Sequence, residues 1–330
     1  MNVAIVGATG LVGSTFLKVL EEKDYIKIEN LYLYASQKSE GKIIFFKNKP
    51  HKVIVLKEEN IIDKKIDFAL FSAGSEVSKK FAPIFKNSGA IVIDNSSAFR
   101  MEKYVPLVVP EVNAEKILNK KIIANPNCST IQCMAPLKAL DKKFNLTKVI
   151  FSTYQAVSGS GQKGLNDLDN NKNGRKSQFY PYQIYDNLIP HIDSFLNNGY
   201  TKEEMKMVNE TRKILNKKSL KISSTCVRVP ISFCHAVSIW AEFKKEVDLQ
   251  KAISSFKQFK NIKILNDSNS NSYPMPILAK GTDNIFVGRI RKDLFNKKAI
   301  NFFVVADNIR KGAASNAVEI MEYILNHKNK

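Results

Sequence analysis

Short apolar runs recur along the first third of the chain, and stretches of helical period lie between several of them. "NVAIVGA" (2–8) is a strand-like run, and "GLVGSTFLKVLEE" (10–22) places Leu11, Phe16, Leu17 and Leu20 at helical spacing. "LYLYAS" (31–36) reads as a second strand, which completes a strand–turn–helix–strand unit of the kind that builds parallel sheets. "DFALFSAG" (67–74) and "AIVIDNSS" (90–97) continue the alternation, with a helix expected over about 76–87 between them. "LVVPEVN" (107–113) and "KIIANPNCS" follow as strand-like segments. The pattern predicts a doubly wound α/β domain with a parallel sheet.

Beyond about residue 150 the texture changes. "KVIFSTYQAVSG" (148–159), "STCVRVPISFCHAVSIWAEF" (224–243), "NIFVGRIRKD" (284–293) and "AINFFVVAD" (299–307) are long strand-like runs with few crossover-length helices between them. A mainly antiparallel sheet is expected there. "NDLDNNKNGRKSQ" (166–178) is polar and aperiodic and reads as an exposed loop, while the aromatic stretch "FYPYQIY" (179–185) is expected to pack. An amphipathic helix over 312–328 closes the chain.

A chain of 330 residues accommodates two domains, and 44% hydrophobic with 25% charged residues is ordinary for a globular protein. No apolar run reaches membrane-span length, and the N-terminus opens directly into a strand without a basic leader. Four irregularly spaced cysteines do not form a disulfide framework, so the reading is cytoplasmic, with no membrane association. The net charge of +20 raises nucleic acid as a partner. Most of the excess is scattered Lys; no basic helix and no interleaving of aromatic and basic residues stands out, so a solvated surface is expected and nucleic acid is not.

"GATGLVG" sets Gly7, Gly10 and Gly13 between a strand and a helix. Gly7 permits the tight turn, Gly10 the approach of a pyrophosphate, and Gly13 close packing of the helix on the strand, whose N-terminus favours an anion. At the end of the second strand, where an NAD site carries a carboxylate for the ribose, this chain has Ser36, Gln37, Lys38 and Ser39. Hydroxyls and an ammonium suit a 2′-phosphate, which makes NADP the expected cofactor.

Cys128 stands in "NPNCST" between a strand end and a helix start. A free cysteine is most often a small buried hydrophobe, as expected for Cys133, Cys226 and Cys234, but a helix N-terminus favours thiolate. Of the histidines 51, 191, 235 and 327, only His235 lies within a long strand-like run, close to Arg228. Cys226, Cys234 and His235 are not read as metal ligands, since adjacent strand residues point to opposite faces; no metal site is expected. Arg289 and Arg291 read as an exposed or interface pair.

"GATGLVG", "NSSAFRM", "NPNCST", "QAVSGSG", "EEMKMVNETRKIL", "CVRVPISFCHAV" and "DNIRKGAASNAVEI" occur in order between residue 3 and about 325. This set resembles the signature segments of the aspartate-β-semialdehyde dehydrogenase family. The resemblance implies a Rossmann domain over 1–127 plus 308–330, including the returning C-terminal helix. It implies a catalytic and dimerisation domain of the glyceraldehyde-3-phosphate dehydrogenase type over 128–307. It further implies NADPH-dependent conversion of β-aspartyl phosphate to aspartate semialdehyde with release of phosphate, in the synthesis of lysine (through diaminopimelate), methionine, threonine and isoleucine. A homodimer is implied, with pairing of dimers into tetramers left open.

Carried over by position, Cys128 matches the family nucleophile, His235 its acid/base, and Gln155 the glutamine that positions the substrate. Arg228 matches the clamp on the substrate carboxylate; Glu203 (with Glu204 as alternative) and Lys206 match residues at the amino group and phosphate; Arg100 matches the phosphate-binding arginine. Thr9, Gly10, Leu11, Val12, Ser36, Lys38, Ser39, Ser158, Gly159 and Asn308 match cofactor positions. In this reading a protonated His235 neutralises the forming alkoxide. The nearest rival, N-acetyl-γ-glutamyl-phosphate reductase, handles an acylated amine and has no use for a carboxylate at Glu203. A silent homologue acting as a scaffold would have lost Cys128, Gln155, Arg228 or His235, all of which are present.

Overall fold

The computed structural model describes residues 1–117 and 119–327. Two compact units divide the chain, Met1–Pro126 with the segment from Ala313 onward, and Asn127–Gly312. Residues 328–330 of the expected first domain, including Lys328 of the expected last helix, lie outside the described residues. Asn308 stays with the second unit rather than the first. Its Nδ2 donates to Ser158 Oγ at 3.0 Å and its Oδ1 accepts the Cys234 N–H at 2.8 Å.

In the first unit the elements run β1 (Asn2–Val6), α1 (Leu11–Glu21), β2 (Asn30–Ala35), β3 (Ile43–Phe46), β4 (Lys49–Val55), α2 (Glu59–Ile62), β5 (Phe68–Phe71), α3 (Ser75–Asn87), β6 (Ile91–Asp94), α4 (Pro110–Asn113) and β7 (Ile122–Ala124). The seven-stranded sheet has the order β3-β4-β2-β1-β5-β6-β7. All neighbours are parallel except the β3–β4 hairpin. Without β3 this is the strand order of the dinucleotide-binding fold.

Continuous apolar runs are what a sheet covered on both faces requires. Val3 and Ile5 of β1 pack with Leu17 and Leu20 of α1 and Met321 of the C-terminal helix (Ser315–His327). Ala4 and Val6 face the other way, toward Ala82 and Phe85 of α3. The β3–β4 hairpin escapes sequence reading because its turn is Lys47–Asn48, without glycine, although both residues hold positive φ (48° and 61°). "LVVPEVN" is not a strand. Leu107 makes one isolated bridge to Ala124, and Pro110 then opens α4, since its missing N–H costs nothing in a first helical turn.

The second unit runs α5 (Cys128–Phe144), β8 (Leu146–Gln155), α6 (Gln162–Lys172), α7 (Lys202–Leu215), β9 (Lys221–Arg228), β10 (His235–Phe243), α8 (Leu249–Lys257), β11 (Ile262–Leu265), α9 (Pro276–Ala279), β12 (Ile285–Lys292) and β13 (Ala299–Ala306). Its six-stranded sheet has the order β11-β12-β13-β10-β8-β9. The centre is antiparallel as the sequence suggests, but both edges, β8–β9 and β11–β12, pair in parallel. The run 224–243 is broken after Arg228; Pro230 supplies no N–H, and Cys234 turns the chain with φ 74° before β10 begins.

Residues 166–172 of the expected loop are helical, within α6. The face of α6 that is buried carries Gly164, Asp167 and Asn171, so the helical period is written in polar residues. Asp167 accepts the N–H groups of Gln178, Phe179 and Tyr180, each at 2.8 Å, and Asn171 accepts that of Ile184 at 2.8 Å. Those bonds anchor the following aromatic stretch by its backbone. Tyr180 and Ile184 of the stretch pack with Val157 and Ile189 as expected, while Phe179, Tyr182 and Tyr185 are left 46%, 70% and 41% exposed.

α5 is buried along most of its length, Ser129, Thr130 and Gln132 included, and carries the exposed Lys142 and Lys143 near its end. One face of the sheet is closed by buried side chains, among them Val149, Phe151 and Val237. The opposite face leaves Ile150 and Tyr154 at 47% and 39% exposure.

Candidate active site

In the first unit, β1 delivers the chain into the turn Gly7–Gly10 and α1 leaves it. A Cβ at Gly7 (φ 87°) would run into the Ser72 carbonyl, and one at Gly13 into the Gly7 carbonyl, so both positions tolerate only glycine. No acidic residue occupies the first turn of α1, where Leu11 and Val12 lie. Ser36 precedes a single 3₁₀ turn, Gln37–Ser39, that brings Ser39 Oγ to 3.4 Å from Thr9 Oγ1. Lys38 is exposed on that turn. Backbone amides free of acidic neighbours, with hydroxyls and an ammonium at the rim, suit a dinucleotide phosphate and a 2′-phosphate. Arg100 also belongs to this unit; its Nε donates to the Asn125 carbonyl at 3.0 Å and Nη2 to that of Asn95 at 2.7 Å.

In the second unit Cys128 is the first residue of α5 and is partly exposed. Asn127 caps the helix by accepting the Ser129 N–H at 3.0 Å. Asn127 is held in turn by two acids of α7: its N–H donates to Glu210 at 2.7 Å and its Nδ2 to Glu203 Oε1 at 2.9 Å. His235, at the head of β10, places Nε2 3.2 Å from Cys128 Sγ.

The Ala156 N–H donates to His235 Nδ1 at 3.0 Å, which assigns the ring proton to Nε2, facing the sulfur. Burial, and then the charge of Arg228, push the imidazole pKa down to about 3. The ring is therefore neutral near neutral pH. In the resting site the ring is thus a neutral imidazole with its N–H on the sulfur, and burial beside Arg228 disfavours the protonated form expected from the sequence.

Gln155 ends β8 directly opposite Arg228, the end of β9. Gln155 Nε2 lies 3.3 Å from Glu203 Oε1, and Arg228 Nη1 donates to the Ala156 carbonyl at 2.7 Å. Arg228 Nε is buried without a hydrogen-bond partner, a donor left for a ligand. A Cβ at Gly159 would sit 2.8 Å from Arg228 Nη1 and 3.2 Å from His235 Cε1, so a side chain there would press on this pair.

Glu203 and Lys206 share one face of α7, with Nζ 3.0 Å from Glu203 Oε2 and 2.8 Å from Asp193 Oδ2. Burial pushes the Glu203 carboxyl up, but Lys206, Asn127 and Arg228 outweigh it and hold the carboxyl below its ordinary value. Burial opposes the charge of Lys206 as well, yet Glu203 and Asp193 keep its ammonium above the usual lysine range. Glu204, the alternative, is occupied elsewhere: it completes the capping box with Thr201 and accepts the Cys226 N–H at 3.1 Å.

The second unit thus gathers Cys128, His235, Gln155, Arg228, Glu203 and Lys206. Sequence reasoning passed over Asn127, Asp193, Glu210 and the Ala156 N–H. Only Asn127, adjacent to the cysteine in a capping position, carried a signal there.

Residues 2–120 match the family model of the semialdehyde dehydrogenase NAD binding domain, and 137–311 that of the semialdehyde dehydrogenase dimerisation domain. The chain is 51% identical to the aspartate-semialdehyde dehydrogenase of Aquifex aeolicus over 98% of both chains. It belongs to the aspartate-semialdehyde dehydrogenase family. The Campylobacter jejuni member is 48% identical, over all of this chain and 98% of its own. The crystal structure of aspartate semialdehyde dehydrogenase II from Vibrio cholerae complexed with ASA superposes with a TM-score of 0.93 at 42% identity, covering 99% of this chain and 98% of that one. The Candida albicans enzyme with NADP superposes at 0.77 with 26% identity, covering 98% of each chain. The fold is the Rossmann domain plus dimerisation domain of this family. As a member, the chain catalyses the reductive dephosphorylation of β-aspartyl phosphate to aspartate semialdehyde through a catalytic cysteine, a step of amino-acid biosynthesis. The matched dimerisation domain supports a homodimer.

Proposed function

We propose that this dehydrogenase uses NADPH and that the side chains around Cys128 divide the work as follows. The Cys128 thiolate, at the positive end of α5, attacks the acyl carbon of β-aspartyl phosphate. The C–O bond to phosphate breaks, and phosphate leaves toward Lys206. NADPH, when bound, would supply the hydride that reduces the thioester on Cys128. Collapse of the resulting alkoxide expels the thiolate and frees the aldehyde. Sulfur enters and leaves as thiolate, so the reductive direction needs no net proton from the imidazole. His235 then serves as a fixed donor, its Nε2–H stabilising the thiolate and the oxyanions that form beside it. Arg228 takes the substrate carboxylate in its two-pronged fork, Glu203 the amino group, and Gln155 orients the acyl group.

NADP rather than NAD rests on the hydroxyls and ammonium of Ser36, Lys38 and Ser39. Among the described residues no helix is long and apolar enough to cross a membrane, and a cytoplasmic location remains part of the proposal.

The 3.2 Å approach of His235 Nε2 to Cys128 Sγ carries this assignment. It is tested by phosphate-dependent reduction of NADP with aspartate semialdehyde, run beside Cys128→Ala. The wild type turns over and the variant does not; comparable activity in the variant ends the assignment.

A further inference from the structure

Lys206 is held from two sides, by Glu203 on its own helix and by Asp193 from the segment before it. Asp193 stands in a left-handed turn (φ 68°) with its Oδ1 accepting the Ser194 N–H at 2.8 Å. The flanking rings of His191 and Phe195 stack at 4.2 Å and 3°. The Lys202 N–H donates to the Ser194 carbonyl at 2.9 Å, which ties the turn to the start of α7. A strained turn that is fastened at several points delivers one carboxylate oxygen to one ammonium. Such an arrangement is costly unless the position matters.

We infer that Asp193 is a positioning residue for recognition of the phosphoryl group, acting through Lys206. An ammonium has three N–H donors and a flexible stem. Glu203 takes one donor and Asp193 a second, so the third points in a fixed direction and is left for an anion. Without Asp193 the stem is restrained from one side only, and the third donor loses its aim. The inference rests on Lys206 meeting the phosphate, as proposed above.

The test is a double-mutant cycle on the full chain, read as the KM for inorganic phosphate and kcat in the NADP-reducing direction. Asp193→Ala raises the KM for phosphate about tenfold, the loss of aim of one charge-assisted hydrogen bond, with a smaller change in kcat. Asp193→Asn, which keeps an oxygen acceptor, recovers most of that loss. In a Lys206→Ala background Asp193→Ala adds less than about twofold, because the residue it acts through is gone. An unchanged KM in Asp193→Ala, or the same fold loss in both backgrounds, overturns the inference. A wild type without phosphate-dependent turnover defeats the reading of the site, not the role of Asp193.

Discussion

Cys128 Sγ and His235 Nε2 lie 3.2 Å apart although 107 residues separate them, and the Ala156 N–H fixes which ring nitrogen carries the proton. The ring is buried and neutral, and the sulfur sits at a helix N-terminus with partial exposure. The reactivity of the thiol and the acid limb of stability both depend on this pair.

Alkylation by iodoacetamide near neutral pH is expected to modify Cys128 well before the other cysteines. Burial pushes Cys226 and Cys234 up to about 12 and Cys133 above its ordinary value, and all three are inaccessible. Peptide mapping after partial labelling gives the order; early modification of any buried cysteine contradicts it.

Stability should fall on acidification through His235. An unfolded chain protonates this ring near pH 6.5 and the native one only near pH 3. Between those values the unfolded state binds more protons, so unfolding becomes easier as pH drops from 6.5 toward 3. Denaturant titrations at neutral pH and at about pH 5 should show His235→Asn losing less stability than the wild type. Equal losses would mean that the ring is not held neutral.

Glu203 and Glu204, adjacent and both buried, should separate cleanly. Glu204→Ala removes the capping box and leaves the Cys226 N–H without its acceptor, a loss of about 1–3 kcal/mol in unfolding free energy. Glu203→Gln keeps the shape of the side chain and withdraws the charge facing Lys206, so its main effect should be a raised KM for aspartate semialdehyde. The reverse pattern would place Glu204 at the substrate.

Gly159→Ala should raise the KM for aspartate semialdehyde roughly tenfold while barely moving the melting temperature. The new methyl displaces the Arg228 guanidinium from its place beside Ala156, and a factor of ten corresponds to about 1.4 kcal/mol. Unchanged kinetics would show that Arg228 can move aside at no cost to binding.

The first unit was largely legible because its central parallel strands β1, β5 and β6 are buried on both faces and so appear as apolar runs. Where burial is one-sided or local, the pattern failed. α6 buries Asp167 and Asn171, and the hairpin turn at Lys47–Asn48 lacks the glycine that announces such turns. The break between Arg228 and His235 was hidden inside one strand-like run, since a turn that keeps its side chains apolar looks like a strand.

The sequence by itself determined the chemistry on offer: a glycine turn without a carboxylate, a cysteine at a helix start, and an arginine and a histidine close together in one strand-like run. Periodicity and capping are local, so residues near one another in the chain suffice to write them. Tertiary structure decided what those groups can do. Protonation state, tautomer, the different partners of Glu203 and Glu204 and the grip of Asp193 on Lys206 all depend on burial and on the folded arrangement. Electric fields and hydrogen bonds act through space, and only the folded chain sets those distances.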